Sequence, residues 1–371
     1  MIQMYQKPLK GKRVGVVLGA FAPLHQGHLD EIMRAKKEND GGCIIIVCGG
    51  EGDKGEPVDL PFKRRYRYVR EFFAKDDLVA VYGINDTEMG IPDYPHGWKP
   101  WLDVFDEIAE KGIENYADTD IIFYVGEKDY EIKLKELGRM CVYMGRTLNP
   151  ISATLIRENP LKYWQQIALP FRRVFSTNIL VTGTASEGKS TLVQDIGKYL
   201  SIPASYEWAR NYMADSNIND NELDSADYLA FLYGQHELNK SLINSPANPG
   251  IFIADTDSMT TQMYAEYYAK DPTCALTEEE YQVIKKAAEE LTRKARWDVI
   301  FVVVPQHKFV DDHTRYMLHA GMKERSELLK ILSRIIKESG NTNIIILNGS
   351  YYENFLKVSN YIKAVQRNEQ Y

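Results

Sequence analysis

Read for apolar and polar positions, the chain alternates short apolar runs with longer stretches of helical spacing. Residues 13–18, RVGVVL, form a continuous apolar run, and similar runs lie at 42–48, 78–82, 121–125 and 140–143. Runs of this kind, without period-two alternation, fit strands buried on both faces of a parallel sheet. Helical spacing follows the first run at 29–35 and recurs at 63–74 and 100–111. A second series opens with an apolar run at 178–182 and continues with runs at 251–254, 298–304 and 343–347. Helical spacing accompanies it at 192–200, 223–241, 260–268, 277–292 and 324–338. Strands alternating with helices predict α/β architecture with doubly wound parallel sheets, and ligands then belong at the C-terminal ends of the strands. Pro160 and Pro170 bracket a short connector, which divides the expectation into two domains, 1–167 and 168–371.

Length agrees with two domains, since 371 residues exceed one ordinary domain. A formal net charge of −7 argues against a general nucleic-acid or anionic-membrane surface. No helix-turn-helix pattern is evident, so no DNA partner is expected. No apolar run approaches the roughly 18 residues of a membrane helix, and the N-terminus lacks the apolar centre of a signal peptide. The four cysteines, Cys43, Cys48, Cys141 and Cys274, include no C-x-x-C pair; three lie in apolar, strand-like stretches and read as buried thiols rather than disulfides or zinc ligands. The expected location is cytoplasmic.

Two strand–loop–helix units carry chemistry. The stretch 183–191, GTASEGKST, satisfies G-x-x-x-x-G-K-S/T and sits between an apolar run and a helical pattern, as a phosphate-binding loop requires. Its glycines let backbone N–H groups turn inward around phosphates at a helix N-terminus. Gly183, Ser186, Gly188, Lys189, Ser190 and Thr191 are the expected ATP contacts, with Lys189 reaching the β- and γ-phosphates and Ser190 on Mg²⁺. The sequence ADTD, 254–257, ends a strand where the metal needs an acidic partner: Asp255 is the first choice and Asp257 the second, while either one could instead cap the helix that follows. Glu207 and Arg210, three apart, face one side if helical; they form either a surface ion pair or the substrate end of the site. Arg315 and the KERS stretch at 323–326 fit a lid that supplies arginine to the transferring phosphate, though a solvated charge run fits Lys323 as well.

The other loop is GAFAPLHQGH, 19–28, with two histidines at i and i+3. A zinc pair lacks a nearby third ligand; imidazoles at a helix N-terminus suit a nucleotide's phosphates better. Downstream, NPISATLIR, 149–157, places two hydroxyls and a guanidinium on one helix turn. Between them a loop rich in proline and aromatics contains Trp98 and Trp101. Either these tryptophans cover the core or one of them stacks on a cationic ring such as nicotinamide, and the sequence does not separate them.

The first loop resembles the G-x-F-x-P-x-H-x-G-H signature of the nucleotidylyltransferase superfamily, and ISATLIR resembles the I-S-x-T-x-x-R signature of nicotinamide-mononucleotide adenylyltransferases. By that resemblance His25, His28 and Arg157 stabilise charge on the α-phosphate of ATP, while Gly19, Phe21, Ser152 and Thr154 contact the nucleotide. Both signatures in this order resemble the bifunctional NadR family, from about residue 12 to 350. The resemblance implies a Rossmann-like nucleotidylyltransferase followed by a P-loop kinase. The kinase would phosphorylate nicotinamide riboside, with Glu207 as base, Arg315 and Lys189 neutralising charge, and Arg210 and Asp257 near the substrate. The first domain would convert nicotinamide mononucleotide and ATP to NAD and pyrophosphate. Some members carry an N-terminal DNA-binding segment; about a dozen residues precede the first strand here, so no repressor role is expected. The alternatives are a kinase whose first domain only senses NAD and a nucleotide-driven regulator of a partner such as a riboside importer. Self-association stays open.

Overall fold

A computed structural model describes residues 7–92, 96–145, 150–306 and 321–367. The chain divides into two units, Met1–Phe175 and Ser176–Tyr371.

The first unit runs β1 (Arg13–Gly19), α1 (Gln26–Glu38), β2 (Cys43–Gly49), α2 (Phe62–Phe72), β3 (Val79–Asn85), α3 (Asp86–Met89), α4 (Trp98–Gly112), β4 (Asp120–Val125), α5 (Lys128–Glu136), β5 (Met140–Tyr143), α6 (Ala153–Glu158) and α7 (Leu169–Phe175). Its five strands are all parallel in the order β3-β2-β1-β4-β5. The central strands are buried on both faces, as their unbroken apolar runs require. One face packs Val17, Ile45 and Val81 against α1, α2 and α7, and the other packs Val16, Ile44 and Ile46 against α4. Strand order reverses between β1 and β4, which places the ligand crevice at their C-terminal ends.

The expected boundary after Ile167 falls inside this unit. Ile167 bridges His25, the Ala168 N–H donates to the Leu24 carbonyl at 3.1 Å, and Phe171, Val174 and Phe175 of α7 complete the core. The proline bracket lies within the first unit, with Pro170 in α7.

The second unit runs β6 (Thr177–Gly183), α8 (Lys189–Leu200), α9 (Trp208–Ser216), α10 (Ser225–Ile243), β7 (Ile251–Asp255), α11 (Ser258–Tyr268), α12 (Glu278–Lys294), β8 (Val299–Val303), α13 (Met322–Glu338), β9 (Ile344–Leu347) and α14 (Tyr351–Gln366). The described strands form a parallel sheet in the order β7-β6-β8-β9. Leu180, Phe252 and Ile300 pack with Met259, Met263 and Leu332 from α11 and α13. A separate helical cluster of α9, α10, α11 and α12 buries Met213, Tyr228, Phe231 and Tyr268 beside the sheet. No helix among the described residues is long and apolar enough to cross a membrane.

Two candidate nucleotide sites

In the first unit, the loop from Gly19 to His25 crosses the point where strand order reverses, and α1 starts there. A cleft of about 380 Å³ opens beside it, bounded by Gly19 at the end of β1 and Gly126 just past β4. Gly19, Phe21, His25 and His28 line it together with Ser152, Thr154 and Arg157, so the two signatures meet in space. His25 occupies the N-cap position of α1 and is 5% exposed; His28 lies one turn on. Their rings stack with centroids 3.7 Å apart and planes at 22°. Phe21, in the left-handed region at φ 48°, meets the His28 ring edge-on at 4.9 Å and is otherwise buried in the core, so it also props that ring. The first turn of α1 points unsatisfied N–H groups toward the cleft and carries the positive end of the helix dipole.

Across the cleft, the Ser152 hydroxyl accepts the Leu155 N–H at 3.3 Å and caps α6. Arg157 donates to the Ala22 carbonyl at 2.6 Å and to the Thr154 hydroxyl at 3.1 Å. One arginine thus ties stretches 135 residues apart in sequence. Among the described residues no group of three His, Cys, Asp or Glu side chains could hold a metal, so none joins the histidine pair.

The tryptophans separate. Trp101 is 7% exposed and stacks on Phe105 within the core, leaving no ring face for a substrate. Trp98 packs edge-on against Tyr130 at 4.9 Å, and Tyr130 lines the cleft. Its indole N–H is buried without a hydrogen-bond partner among the described residues.

Sequence reading passed over Arg65. This α2 residue is fully buried; it donates to the carbonyls of Leu60 at 2.8 Å and Cys48 at 2.9 Å, and to those of Ala20 and the Asp53 carboxylate at shorter range. It therefore fastens the histidine loop to the end of β2 and to the turn before α2. Burial lowers the guanidinium's pKa, and Asp53 opposes that effect. A Cβ at Gly49 would lie 2.4 Å from both Arg65 Nη2 and Asp53 Oδ2, so only glycine leaves room for this pair.

In the second unit, the loop after β6 turns through Gly183 at φ 139°, Ser186 at φ 60° and Gly188 at φ 75° into α8. A Cβ on Gly183 would lie 2.3 Å from the Val303 carbonyl, which excludes any other residue. Lys189 is buried and donates to the Thr184 carbonyl at 2.6 Å, folding back along the cradle. Ser190 sits in the first turn of α8, and Thr191 beside it faces solvent.

At the end of β7, Asp255 is 1% exposed, and neither carboxylate oxygen makes a hydrogen bond of ordinary geometry among the described residues. Burial pushes its pKa up to about 6 and the neighbouring Glu207 carboxylate adds to this, while Lys189, Ser190 and Arg210 pull it down. These five residues therefore share one electrostatic neighbourhood. Thr256, next in the chain, is held at φ 71°, a costly conformation for a β-branched residue and typical of a functional turn. Asp257 is the cap instead: Oδ1 accepts the N–H groups of Met259 and Thr260 at 3.1 and 3.3 Å, and Oδ2 accepts the Trp297 indole at 2.9 Å. That arrangement engages both oxygens in structure, away from the substrate role expected of it.

Glu207 occupies the N-cap position of α9 without a side-chain capping bond; its side chain is 13% exposed, with Arg210 3.3 Å away. Ala204 pairs with Ile253 of β7, which draws Glu207 toward Asp255. The Trp208 N–H donates to Gln235 at 2.9 Å, and Gly234 lets the Trp208 ring lie on α10, where a Cβ would be 2.4 Å from it. Behind Glu207 a narrow cavity of about 40 Å³ is lined by Asp220, Tyr228, Gln235, Thr256 and Tyr264. The Tyr228 hydroxyl is buried there without a hydrogen-bond partner among the described residues. Arg315 lies outside the described residues. Arg325, in the stretch expected to form a lid, is instead 2% exposed and paired with Glu187 of the cradle.

Comparison with known proteins agrees with this division. Residues 16–159 match the cytidylyltransferase-like family and 178–354 an AAA domain. A trifunctional NAD biosynthesis/regulator protein, NadR, of Salmonella typhimurium (strain LT2) is 28% identical over 369 residues, covering 96% of this chain and 84% of its own length. A crystal structure of a NadR protein in complex with NR superposes with a TM-score of 0.81 at 33% identity, covering 96% of this chain and 98% of that one. The chain belongs to the NadR family. A second NadR structure, in complex with NAD and AMP-PNP, gives a TM-score of 0.81 at 32% identity, with 98% of this chain and 99% of that one covered. The NadR signatures carried no trace of Arg65, Asp220, Tyr228 or the Glu187–Arg325 pair. Each is a polar residue on a helix or loop whose burial depends on distant segments.

Proposed function

We propose that the first unit makes NAD from nicotinamide mononucleotide and ATP, and that the second makes the mononucleotide from nicotinamide riboside and ATP. The observation that carries this is the meeting of His25, His28, Thr154 and Arg157 in one cleft at the sheet's crossover, with a separate phosphate cradle in the second unit. The two NadR crystal structures bind NR in one case and NAD with AMP-PNP in the other, which supports both substrate assignments.

In the first cleft a mononucleotide phosphate oxygen attacks the α-phosphorus of ATP; the new O–P bond forms as the bond to the β-phosphate oxygen breaks, and pyrophosphate leaves. The mononucleotide phosphate is itself the nucleophile, so the side chains contribute positioning and electrostatics. Stacked His25 and His28 at the positive end of α1, with Arg157 opposite, offer donors to the charge that develops. Trp98, beside Tyr130, is the ring we assign to the nicotinamide.

In the second site the riboside 5′-hydroxyl attacks the γ-phosphorus of ATP. Glu207 takes the hydroxyl proton, and Asp220 and the Tyr228 hydroxyl, which line the narrow cavity behind it, are the polar groups we assign to the riboside end of the site. Lys189 leaves the Thr184 carbonyl for the β- and γ-phosphates. Asp255, buried at the strand end with the Ser190 hydroxyl as its neighbour, offers carboxylate oxygens that fit Mg²⁺, a hard cation that takes oxygen donors. Bound there, the ion would neutralise charge on the phosphates. We place the protein in the cytoplasm, where these nucleotides are made.

The test is to run the two half-reactions apart. Mononucleotide with Mg-ATP should give NAD and pyrophosphate, and riboside with Mg-ATP should give mononucleotide and ADP. A chain that performs neither contradicts the reading. Glu207→Gln should reduce the second by about two orders of magnitude and leave the first intact.

A further inference from the structure

Glu187 is an acid inside an anion-binding loop. It lies between Ser186 and Gly188, both in left-handed conformation, whose backbone forms the turn of the phosphate cradle. A carboxylate facing that cradle would repel a triphosphate. In the structure the Glu187 side chain is 0% exposed and turned away into the protein. There it meets the guanidinium of Arg325, itself 2% exposed, in the first turn of α13, and it accepts the Gln306 N–H at 3.1 Å.

We propose that Arg325 is a positioning residue of the kinase site: by neutralising Glu187 and holding it under the loop, it keeps the cradle receptive to ATP phosphates. The inference rests on the kinase reading above. A buried pair of this kind contributes little net stability, but one partner left alone is a strongly unfavourable charge. The lone charge here would be negative and adjacent to the triphosphate. Removing Arg325 therefore harms ATP binding in a way that removing Glu187 as well should repair. A merely structural pair would give losses that accumulate.

The experiment is a double-mutant cycle in the full chain, with the KM for Mg-ATP and kcat measured in riboside phosphorylation. Adenylyl transfer by the same samples normalises the amount of active chain, and thermal melting reports on the integrity of the second unit. Arg325→Met should raise the KM for ATP by about tenfold or more while kcat changes less. Glu187→Gln should have the smaller effect, and Glu187→Gln with Arg325→Met should recover most of the lost KM. A double variant as impaired as Arg325→Met, or a fall in kcat with KM unchanged, overturns the proposal. If Arg325→Met leaves the second unit unfolded, Arg325→Lys decides: it keeps the charge and should hold the KM near that of the parent, and a tenfold rise overturns the proposal. A parent protein without riboside kinase activity fails the kinase reading, whereas a failed rescue fails only the role of the pair.

Discussion

Arg65→Met should damage adenylyl transfer and leave riboside phosphorylation nearly untouched. The guanidinium is fully buried and serves the carbonyls of Ala20, Cys48 and Leu60 together with the Asp53 carboxylate. Each buried acceptor left without a donor costs about 1–3 kcal/mol. Breaking one side of a buried charge pair costs about 3–5 kcal/mol after relaxation, and we take that as the net loss. At about 2–4 °C per kcal/mol for a unit of this size, the first melting transition should fall by roughly 6–20 °C. The catalytic effect has a separate origin. Ala20 is next to Phe21, which props His28, so loosening the Ala20 anchor moves an imidazole at the reaction centre. A displacement near 1 Å costs about two orders of magnitude in rate. Gly49→Ala approaches the same pair from the other side, since its Cβ would sit 2.4 Å from Arg65 Nη2 and Asp53 Oδ2. Both variants, assayed below their melting temperatures, should lower kcat for NAD formation by about ten- to a hundredfold, with kinase kcat within twofold of the parent. Normal adenylyl transfer in a destabilised but folded Arg65→Met protein would refute the argument.

Three further outcomes follow from the packing. A fragment of residues 1–175 should retain adenylyl transfer, whereas one ending at 167 should be unstable, because it lacks the Ala168–Leu24 hydrogen bond and the Phe171 and Phe175 side chains; equal melting temperatures would contradict this. Trp98→Ala should raise the KM for the mononucleotide by about tenfold, while Trp101→Ala should mainly lower stability, by about 3–5 kcal/mol; reversed phenotypes in steady-state kinetics and thermal melts would exchange their roles. Burial raises the Glu266 pKa, but Tyr281, Lys270 and Arg334 more than offset this, so the folded value lies below the ordinary 4.5. The folded state thus holds that proton less readily, and the stabilisation is complete above pH 4.5 and drains away as pH falls through the lower folded value. Melting curves of the parent and Glu266→Gln should converge in acid, and parallel curves would sink this point.

The strands were legible because a strand buried on both faces needs an unbroken apolar run, and β1, β2, β6, β7 and β8 each show one. The phosphate cradle and the histidine loop were legible because close backbone approach restricts residue choice, as at Gly183. Two helices escaped: α7, too short at seven residues to show a helical period, was read as a connector, and α14, with few buried positions, followed the last segment that carried a pattern. Asp255 came ahead of Asp257 for the metal in ADTD, but which of the two caps the helix was not legible, since one turn decides it. Arg65 went unremarked and Arg325 fell in a stretch read as a lid, because each stands among other charged residues on a helix. Their burial depends on partners, Ala20, Asp53 and Glu187, that local spacing cannot supply.

The central claim is two separable ATP-dependent steps carried by one chain. The direct measurement is a time course of riboside, mononucleotide and dinucleotide with Mg-ATP for the parent, Lys189→Ala and His28→Ala. The parent should convert riboside to NAD through mononucleotide, releasing ADP in the first step and pyrophosphate in the second. Lys189→Ala should leave riboside unconverted, slowed by about two orders of magnitude or more, yet still make NAD from supplied mononucleotide. His28→Ala should stop at the mononucleotide. Loss of both steps in either folded variant, or a parent that accumulates mononucleotide and never forms NAD, would contradict the account.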